Sequence, residues 1–219
     1  MLVQIYEIGN PQEGASLARL GVDHIGVLIG PGEFPREVSI VQAQAIFAAL
    51  PPATKRVALS LSGDSAQVAR VVAQTRPDIV HIGAAPELFG PAQTRALKAQ
   101  FPQVAIMRAI PVVDQASIAL AKSYETIADF LLLDSYDPAD RQVGALGRTH
   151  DWRISRQIVA AVKIPAILAG GLGPDNVQAA IAAVRPAGVD SKTKTDAAGS
   201  HAKDPAKVEA FLRAAKTAA

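Results

Sequence analysis

Residues 164–184 read IPAILAGGLGPDNVQAAIAAV, and this stretch decides the fold class. It begins with a short apolar run, passes through a glycine-rich turn and continues into an alanine-rich pattern with helical spacing. A short run that is apolar almost without a break is typical of a strand covered on both faces, as in a parallel sheet. The stretch therefore predicts a strand, a turn and a helix, which together make half of a βαβ unit.

The same order of strand and helix recurs along the whole chain. Eight units of this kind predict an α/β fold, and they favour a closed (β/α)8 TIM barrel over an open doubly wound sheet. No linker or change in composition divides the chain, so residues 1–219 are expected to form a single barrel domain. The predicted strands are LVQIYEI (2–8), DHIGVLI (23–29), KRVALSL (55–61), DIVHIG (78–83), QVAIMRAI (103–110), IADFLLL (127–133), IPAILA (164–169) and AGVDSK (187–192).

Composition excludes several classes of protein. With 49% hydrophobic and 19% charged residues, the chain suits a folded globular protein. A net charge of +2 and 5% aromatic residues give little support to nucleic-acid binding. The absence of cysteine excludes disulfides and thiolate metal sites. No signal peptide or membrane-spanning run is apparent, so we expect a soluble cytoplasmic protein, either a monomer or a homodimer.

Helix caps can be read directly from the sequence. Asn10 and Pro11 place a capping side chain and a first-turn proline at a helix start, and Gly21 follows that helix where a left-handed residue is expected. Asp64 is expected to cap the third helix, and Asp204 the last one.

In a barrel of this kind the ligand sits on the loops that follow the strands. After the seventh strand, Gly170 and Gly171 allow close backbone approach, and the amides at the following helix start can bind an anion. After the eighth strand, Lys192, Thr193 and Lys194 add charge and a hydroxyl. A tight turn and a solvated polar loop are the alternatives, but the adjacency of the two loops favours a phosphate site.

Two further loops carry candidate functional groups. Asp134 ends the apolar sixth strand, so its carboxyl group is expected in the barrel mouth, as a general acid or as a turn residue. The segment VGALGRTHDW (143–152) is long enough to close over a ligand. In the loop after the second strand, Arg36 could hold a substrate carboxylate in a forked pair, or could be an ordinary surface arginine.

These four loops, in this order, resemble the phosphoribosylanthranilate isomerase family of tryptophan biosynthesis. The resemblance runs over nearly the whole chain. Its most specific pieces are LLLDS, the G-x-x-G-x-x-x-DW segment that ends at Trp152, PAILAGGLGPDNV, and GVD followed by KDPAKVEAFL.

The resemblance implies an Amadori rearrangement of a small phosphorylated substrate, an aldose-to-ketose isomerisation that uses no metal and no organic cofactor. It implies that Asp134 is the general acid that opens the ribose ring, and that Arg36 binds the anthranilate carboxylate. It also implies that Gly170 and Gly171, with the loop 192–195, hold the phosphate.

The first strand departs from the family pattern. Where the family usually has Lys-Ile-Cys-Gly, with the cysteine as general base, this chain has Gln-Ile-Tyr-Glu at positions 4–7. Tyr6 is a poor base, because an unperturbed phenol has a pKa near ~10. Glu7 could replace it only if the strand has ended or bulged there, because neighbouring strand residues face opposite ways. His81, at the end of the fourth strand, is a second candidate base or a hydrogen-bonded lining residue.

The missing cysteine leaves three alternatives open. The chain could catalyse the family reaction with Glu7 or His81 as the base. It could isomerise another phosphosugar in carbohydrate catabolism. It could also be a non-catalytic barrel that binds a phosphorylated metabolite. The first two share a reaction class, so the sequence favours an isomerase.

Overall fold

A computed structural model describes residues 1–137, 142–143 and 148–218. Within these ranges, eight parallel strands close a barrel in the order β1-β10-β9-β6-β5-β4-β3-β2, and β7 and β8 form a separate two-stranded antiparallel sheet. The predicted (β/α)8 barrel is therefore confirmed. The strands are β1 Leu2–Ile5, β2 His24–Leu28, β3 Lys55–Ser60, β4 Ile79–Ile82, β5 Ala105–Pro111, β6 Phe130–Asp134, β7 Tyr136–Asp137, β8 Gln142–Val143, β9 Ala166–Leu168 and β10 Gly188–Ser191.

Helices cover the outside of the barrel, and the predicted caps are confirmed. The Asn10 side chain accepts a hydrogen bond from the Glu13 amide, and Gly21 is left-handed with φ 94°. Asp64 and Asp204 cap their helices through backbone amides in the same way. The helices are α1 Pro11–Leu20, α2 Ile40–Ala48, α3 Ser65–Thr75, α4 Pro91–Gln100, α5 Ala116–Tyr124, α6 Trp152–Ala161, α7 Val177–Val184 and α8 Pro205–Thr217.

Apolar side chains form two separate layers. The larger layer lies between the strands and the helices, and the smaller one fills the inside of the barrel. The two layers explain why the strands are apolar on both faces. The inner layer consists of Tyr6, Leu28, Val57, Leu59, Ile79, Met107, Leu132, Ile167 and Ala169.

The first strand is shorter than the sequence pattern predicts. It ends at Ile5 rather than at residue 8. Glu7 has φ 63°, in the left-handed region that a regular strand cannot contain. The chain nevertheless stays at the barrel wall, because the Tyr6 amide donates to Ser191 O and the Ile8 amide donates to Gly26 O.

Two other features bear on the predicted loops. The small antiparallel sheet of β7 and β8 comes after β6 in the chain and was not predicted from the sequence. Of the predicted closing segment 143–152, residues 144–147 lie outside the described residues. Within the described ranges, no helix combines the length and apolar character needed to cross a membrane.

Candidate active site

Five of the predicted site residues, namely Asp134, Gly170, Gly171, Lys192 and Thr193, meet at the carboxyl ends of β6, β9 and β10. They surround a cavity of about 20 Å³, which is room for about one water molecule. A substrate therefore enters only if the mouth widens. A larger groove of about 720 Å³ lies at the opposite end of the barrel, where Arg56 and Asp78 on its wall already pair with each other. The small cavity is lined by Asp134, Gly170, Gly171, Leu172, Asp190, Lys192 and Thr193.

Asp134 is the last residue of β6, and its carboxyl group is buried. Burial raises its pKa from the usual 3.8 to about 7, although hydrogen bonds from the Ser135 amide and hydroxyl oppose the shift. Those two bonds, 2.7 and 3.3 Å long, both go to Oδ1. At neutral pH the carboxyl group is therefore present in both protonation states, as a proton donor requires.

Asp190, at the end of β10, faces the same cavity and was assigned no role from the sequence. Its Oδ1 accepts a hydrogen bond of 3.1 Å from the Gln4 side-chain amide. Burial, and then the charge of Asp134, raise the pKa of Asp190 well above its usual value. The strand sequence GVDS carries the signal for this residue, because alternation places its carboxyl group inside the barrel. Within the described residues, no group of three or more His, Asp or Glu side chains is arranged as a metal site.

Glu7 belongs to a chain of alternating charges at the mouth. Lys192 Nζ lies 3.2 Å from Glu7 Oε2 and 3.4 Å from Asp196 Oδ2. Asp196 in turn pairs with Lys203, whose side chain is fully buried. The positive φ of Glu7 satisfies the condition set by the sequence, because it shows that the regular strand has ended before Glu7. The Glu7 carboxylate therefore contacts Lys192, which lines the cavity, and does not itself line it.

Tyr6 occupies the interior of the barrel instead of its mouth. Its hydroxyl oxygen lies 2.6 Å from His81 Nδ1. Its ring fits only because position 26 is glycine: a Cβ there would lie 2.0 Å from the ring. Burial, followed by the charges of Asp190 and Asp134, raises the pKa of Tyr6 well above 10.

His81 is engaged by Tyr6 and is fully enclosed. Burial is the main reason that its pKa falls from 6.5 to about 3, and the charge of Arg108 adds to the effect. Its Nε2 is also buried, without a hydrogen-bond partner in the part of the chain that the structure describes. A role for His81 as the base stays a prediction.

The glycine turn after β9 has the geometry of an anion site. Gly170 and Gly171 both have positive φ, 87° and 62°. Within the described residues, the amides of Gly171 and Leu172 donate to no acceptor. The turn is fixed from β10, because the Ser191 hydroxyl donates to Leu172 O over 2.7 Å. Two adjacent glycines therefore leave backbone amides available at the edge of the cavity.

The remaining predicted residues lie around the mouth. Thr193 lines the cavity, and the stem of Lys194 packs beside Gly173. Arg36 reaches the first loop, where its Nε donates to Glu7 O over 2.8 Å and its guanidinium pairs with Glu13. Arg36 thus lies next to the first-strand loop but already has a carboxylate partner.

Comparisons with known proteins agree with this geometry. A sequence model of the N-(5′-phosphoribosyl)anthranilate (PRA) isomerase family matches residues 18–214. An isomerase of that name from Haloferax volcanii is 36% identical over 99% of this chain and 93% of its own. Another from Methanocella arvoryzae is 36% identical over 86% of this chain and 85% of its own.

Solved structures give the same result. The structure of N-(5′-phosphoribosyl)anthranilate isomerase from Pyrococcus furiosus superimposes with a TM-score of 0.77 and 27% identity, covering 99% of each chain. Both the sequence model and the curated relatives extend over most of the chain, including the loops that surround the cavity. The chain belongs to the N-(5′-phosphoribosyl)anthranilate isomerase family.

Proposed function

We propose that this chain isomerises N-(5′-phosphoribosyl)anthranilate by an Amadori rearrangement, with Asp134 as the general acid and Glu7 as the general base. One observation supports the proposal above all. A buried carboxyl group whose pKa is about 7 lines the cavity, and a second carboxylate, in a left-handed turn, contacts the lining residue Lys192. The proposed acid therefore comes from the end of β6, and the proposed base from the loop after β1.

Asp134 opens the sugar ring in the first step. Its proton goes to the ring oxygen, the bond from C1′ to that oxygen breaks, and the bonding electron pair stays on the oxygen. The nitrogen lone pair forms a C=N bond to C1′. Because burial keeps part of the Asp134 population protonated near pH 7, the donor is available without an added cation.

Glu7 removes the C2′ proton in the second step. The electron pair of the C–H bond forms the C1′=C2′ double bond. The π electrons of the iminium group return to the nitrogen as its lone pair, so the product carries no charge at the nitrogen. The resulting enolamine takes a proton at C1′ and loses one from the C2′ oxygen, which gives the ketose. A carboxylate in the mouth reaches such a proton more easily than a ring enclosed in the barrel, so Glu7 fits this step better than His81.

The phosphate group is proposed to bind across the two adjacent loops. In the turn after β9, the amides of Gly171 and Leu172 donate to no acceptor among the described residues. Lys192, Thr193 and Lys194 follow β10 on the neighbouring side. Lys192 also forms an ion pair with Glu7, in addition to its proposed contact with the phosphate. Arg36 is proposed to release Glu13, its present partner, and to bind the anthranilate carboxylate in its place.

Turnover of phosphoribosylanthranilate, followed by its fluorescence, tests the function. We expect the wild-type protein to convert the substrate, and Glu7→Gln to lower kcat by about 10²–10⁴, the usual contribution of a positioned base. His81→Gln keeps a hydrogen-bond partner for Tyr6 and is expected to retain most activity. Glu209→Gln, a change at an exposed position on α8, is the matched control.

Each outcome selects one interpretation. Loss of turnover in His81→Gln with normal turnover in Glu7→Gln would make His81 the base. A wild-type protein that binds inorganic phosphate but does not turn over this substrate would favour another phosphosugar or a non-catalytic binding barrel. A cytoplasmic location, a monomeric or homodimeric state and a single domain over residues 1–219 stay predictions.

A further inference from the structure

His150, which the sequence analysis did not select, lies near Asp134, the proposed general acid. His150 lies two residues before α6, and its Nε2 is 2.6 Å from the hydroxyl oxygen of Ser155. Ser155 is fully buried in the first turns of that helix. This contact fixes the orientation of the imidazole ring from one side.

The other ring nitrogen points to the cavity wall beside Asp134. A Cβ built on Gly170 would lie 2.9 Å from His150 Nδ1 and 3.3 Å from Asp134 Oδ1. The ring edge and the carboxyl group therefore flank one small space at a glycine of the lining. His150 Nδ1 is buried and has no hydrogen-bond partner among the residues that the structure describes.

The hydroxyl of Ser155 indicates which nitrogen carries the proton. If Ser155 donates to Nε2, both groups are satisfied at that end, and the proton of the neutral ring sits on Nδ1. If His150 donates instead, the buried hydroxyl proton needs another acceptor, and His150 is the one side-chain partner of Ser155 within the described residues. The first arrangement leaves a neutral N–H donor beside Gly170, one of the residues that line the cavity.

We propose that His150 is a further catalytic residue, whose Nδ1–H donates a hydrogen bond to the substrate oxygen that Asp134 protonates. This inference rests on the proposed function and names a second group at the same reacting atom. His150 gains no proton and loses none. It stabilises the electron pair that arrives on the ring oxygen as the bond from C1′ breaks.

A neutral imidazole is suited to this task. Burial lowers the pKa of His150 from 6.5 to about 4, against a smaller opposing effect of Asp151. The ring therefore stays uncharged at neutral pH and does not compete with Asp134 as the proton source. A donor aimed at developing charge in an enclosed site typically contributes about 10²–10³ to the rate.

Steady-state kinetics of His150→Phe test the proposal in the full-length protein. We expect kcat to fall about 10²–10³-fold with little change in KM, because the donor acts on the breaking bond. His150→Asn, which can present an amide N–H, is expected to recover part of the loss. Arg153→Gln is the control, because Arg153 is an exposed residue of the same helix.

A second measurement does not depend on activity. Nitrogen-15 NMR of the histidine rings, assigned with His150→Phe, is expected to show a neutral ring with its proton on Nδ1 between pH 6 and 8. Ser155→Ala is expected to change that tautomer and to lower kcat in parallel. A proton on Nε2, or an unchanged kcat in His150→Phe, would overturn the inference while wild-type turnover stands. An inactive wild-type protein would overturn the proposed function instead, whatever the tautomer.

Discussion

Replacing Asp134 with asparagine is expected to stabilise the fold at neutral and alkaline pH while it abolishes turnover. The reason is the environment of the carboxyl group, which is buried at the end of β6 and has a pKa of about 7. In an unfolded chain the same group has a pKa of about 3.9. The folded protein therefore holds this proton more tightly than the unfolded chain does.

The sign and size of the effect follow from this difference. A pKa raised in the folded state contributes stability that is complete below about pH 4 and is lost as the pH rises to about 7. Three pKa units at about 1.4 kcal/mol each give up to about 4 kcal/mol in the free energy of unfolding, of which about 3 kcal/mol falls between pH 5 and pH 8. Asparagine has no charge to bury, so the variant avoids the loss. Removing the charge of Asp134 also removes its repulsion of the Asp190 carboxylate, which raises the pKa of Asp190 in the wild type.

Urea unfolding at pH 5, 6, 7 and 8 measures the difference. The signal is the fluorescence of Trp152, the single tryptophan of the chain. We expect the free energy of unfolding of Asp134→Asn to gain on that of the wild type as the pH rises, and Asp175→Asn, at an exposed position, to follow the wild type. A difference that stays constant from pH 5 to pH 8 would mean that Asp134 is ionised throughout this range. The case for Asp134 as the acid would then fail.

Three other perturbations test separate parts of the site. Because the acid must be protonated, kcat/KM is expected to fall about tenfold between pH 6 and pH 8 as Asp134 ionises, and a flat profile would contradict this assignment. Gly26→Ala puts a methyl group 2.0 Å from the Tyr6 ring, so a loss of about 1–3 kcal/mol in urea unfolding is expected, and no such loss is expected when Gly26→Ala is added to a Tyr6→Ala variant. Lys192→Met is expected to weaken binding of inorganic phosphate, measured by calorimetry, more at low salt than at high salt. An affinity that does not change in Lys192→Met at either salt concentration would remove Lys192 from the phosphate site.

The sequence predicts the scaffold well because local patterns determine it. Apolar runs followed by helical spacing predict the barrel, and the caps at Asn10, Asp64 and Asp204 depend on neighbours two or three residues away. Asp134 could be placed for a similar reason, because the last residue of a barrel strand must face the mouth or the helices. Gly170 and Gly171 could be placed because both come immediately after β9.

The surroundings of Glu7, Tyr6 and Asp190 could not be predicted, because they depend on contacts between distant segments. The pairing of Lys192 with Glu7 joins residues 185 positions apart, a separation obtained from their numbers. Tyr6 faces the interior only because position 26, on the neighbouring strand, has no side chain. Asp190 was missed because its meaning depends on Asp134 and Gln4, which come from two other strands.

The backbone at Glu7 is the strongest physical reason to place the base there. A non-glycine residue with φ 63° costs about 1–2 kcal/mol relative to glycine, which adopts this conformation freely. What the glutamate adds is a carboxylate that pairs with Lys192 and is nearly enclosed, with 11% of its side chain exposed. Backbone strain of this kind is found at functional sites, where chemistry rather than stability selects the residue. Tyr6 is enclosed in the barrel, and in the function that we propose Glu7, the next residue along, supplies the basic group.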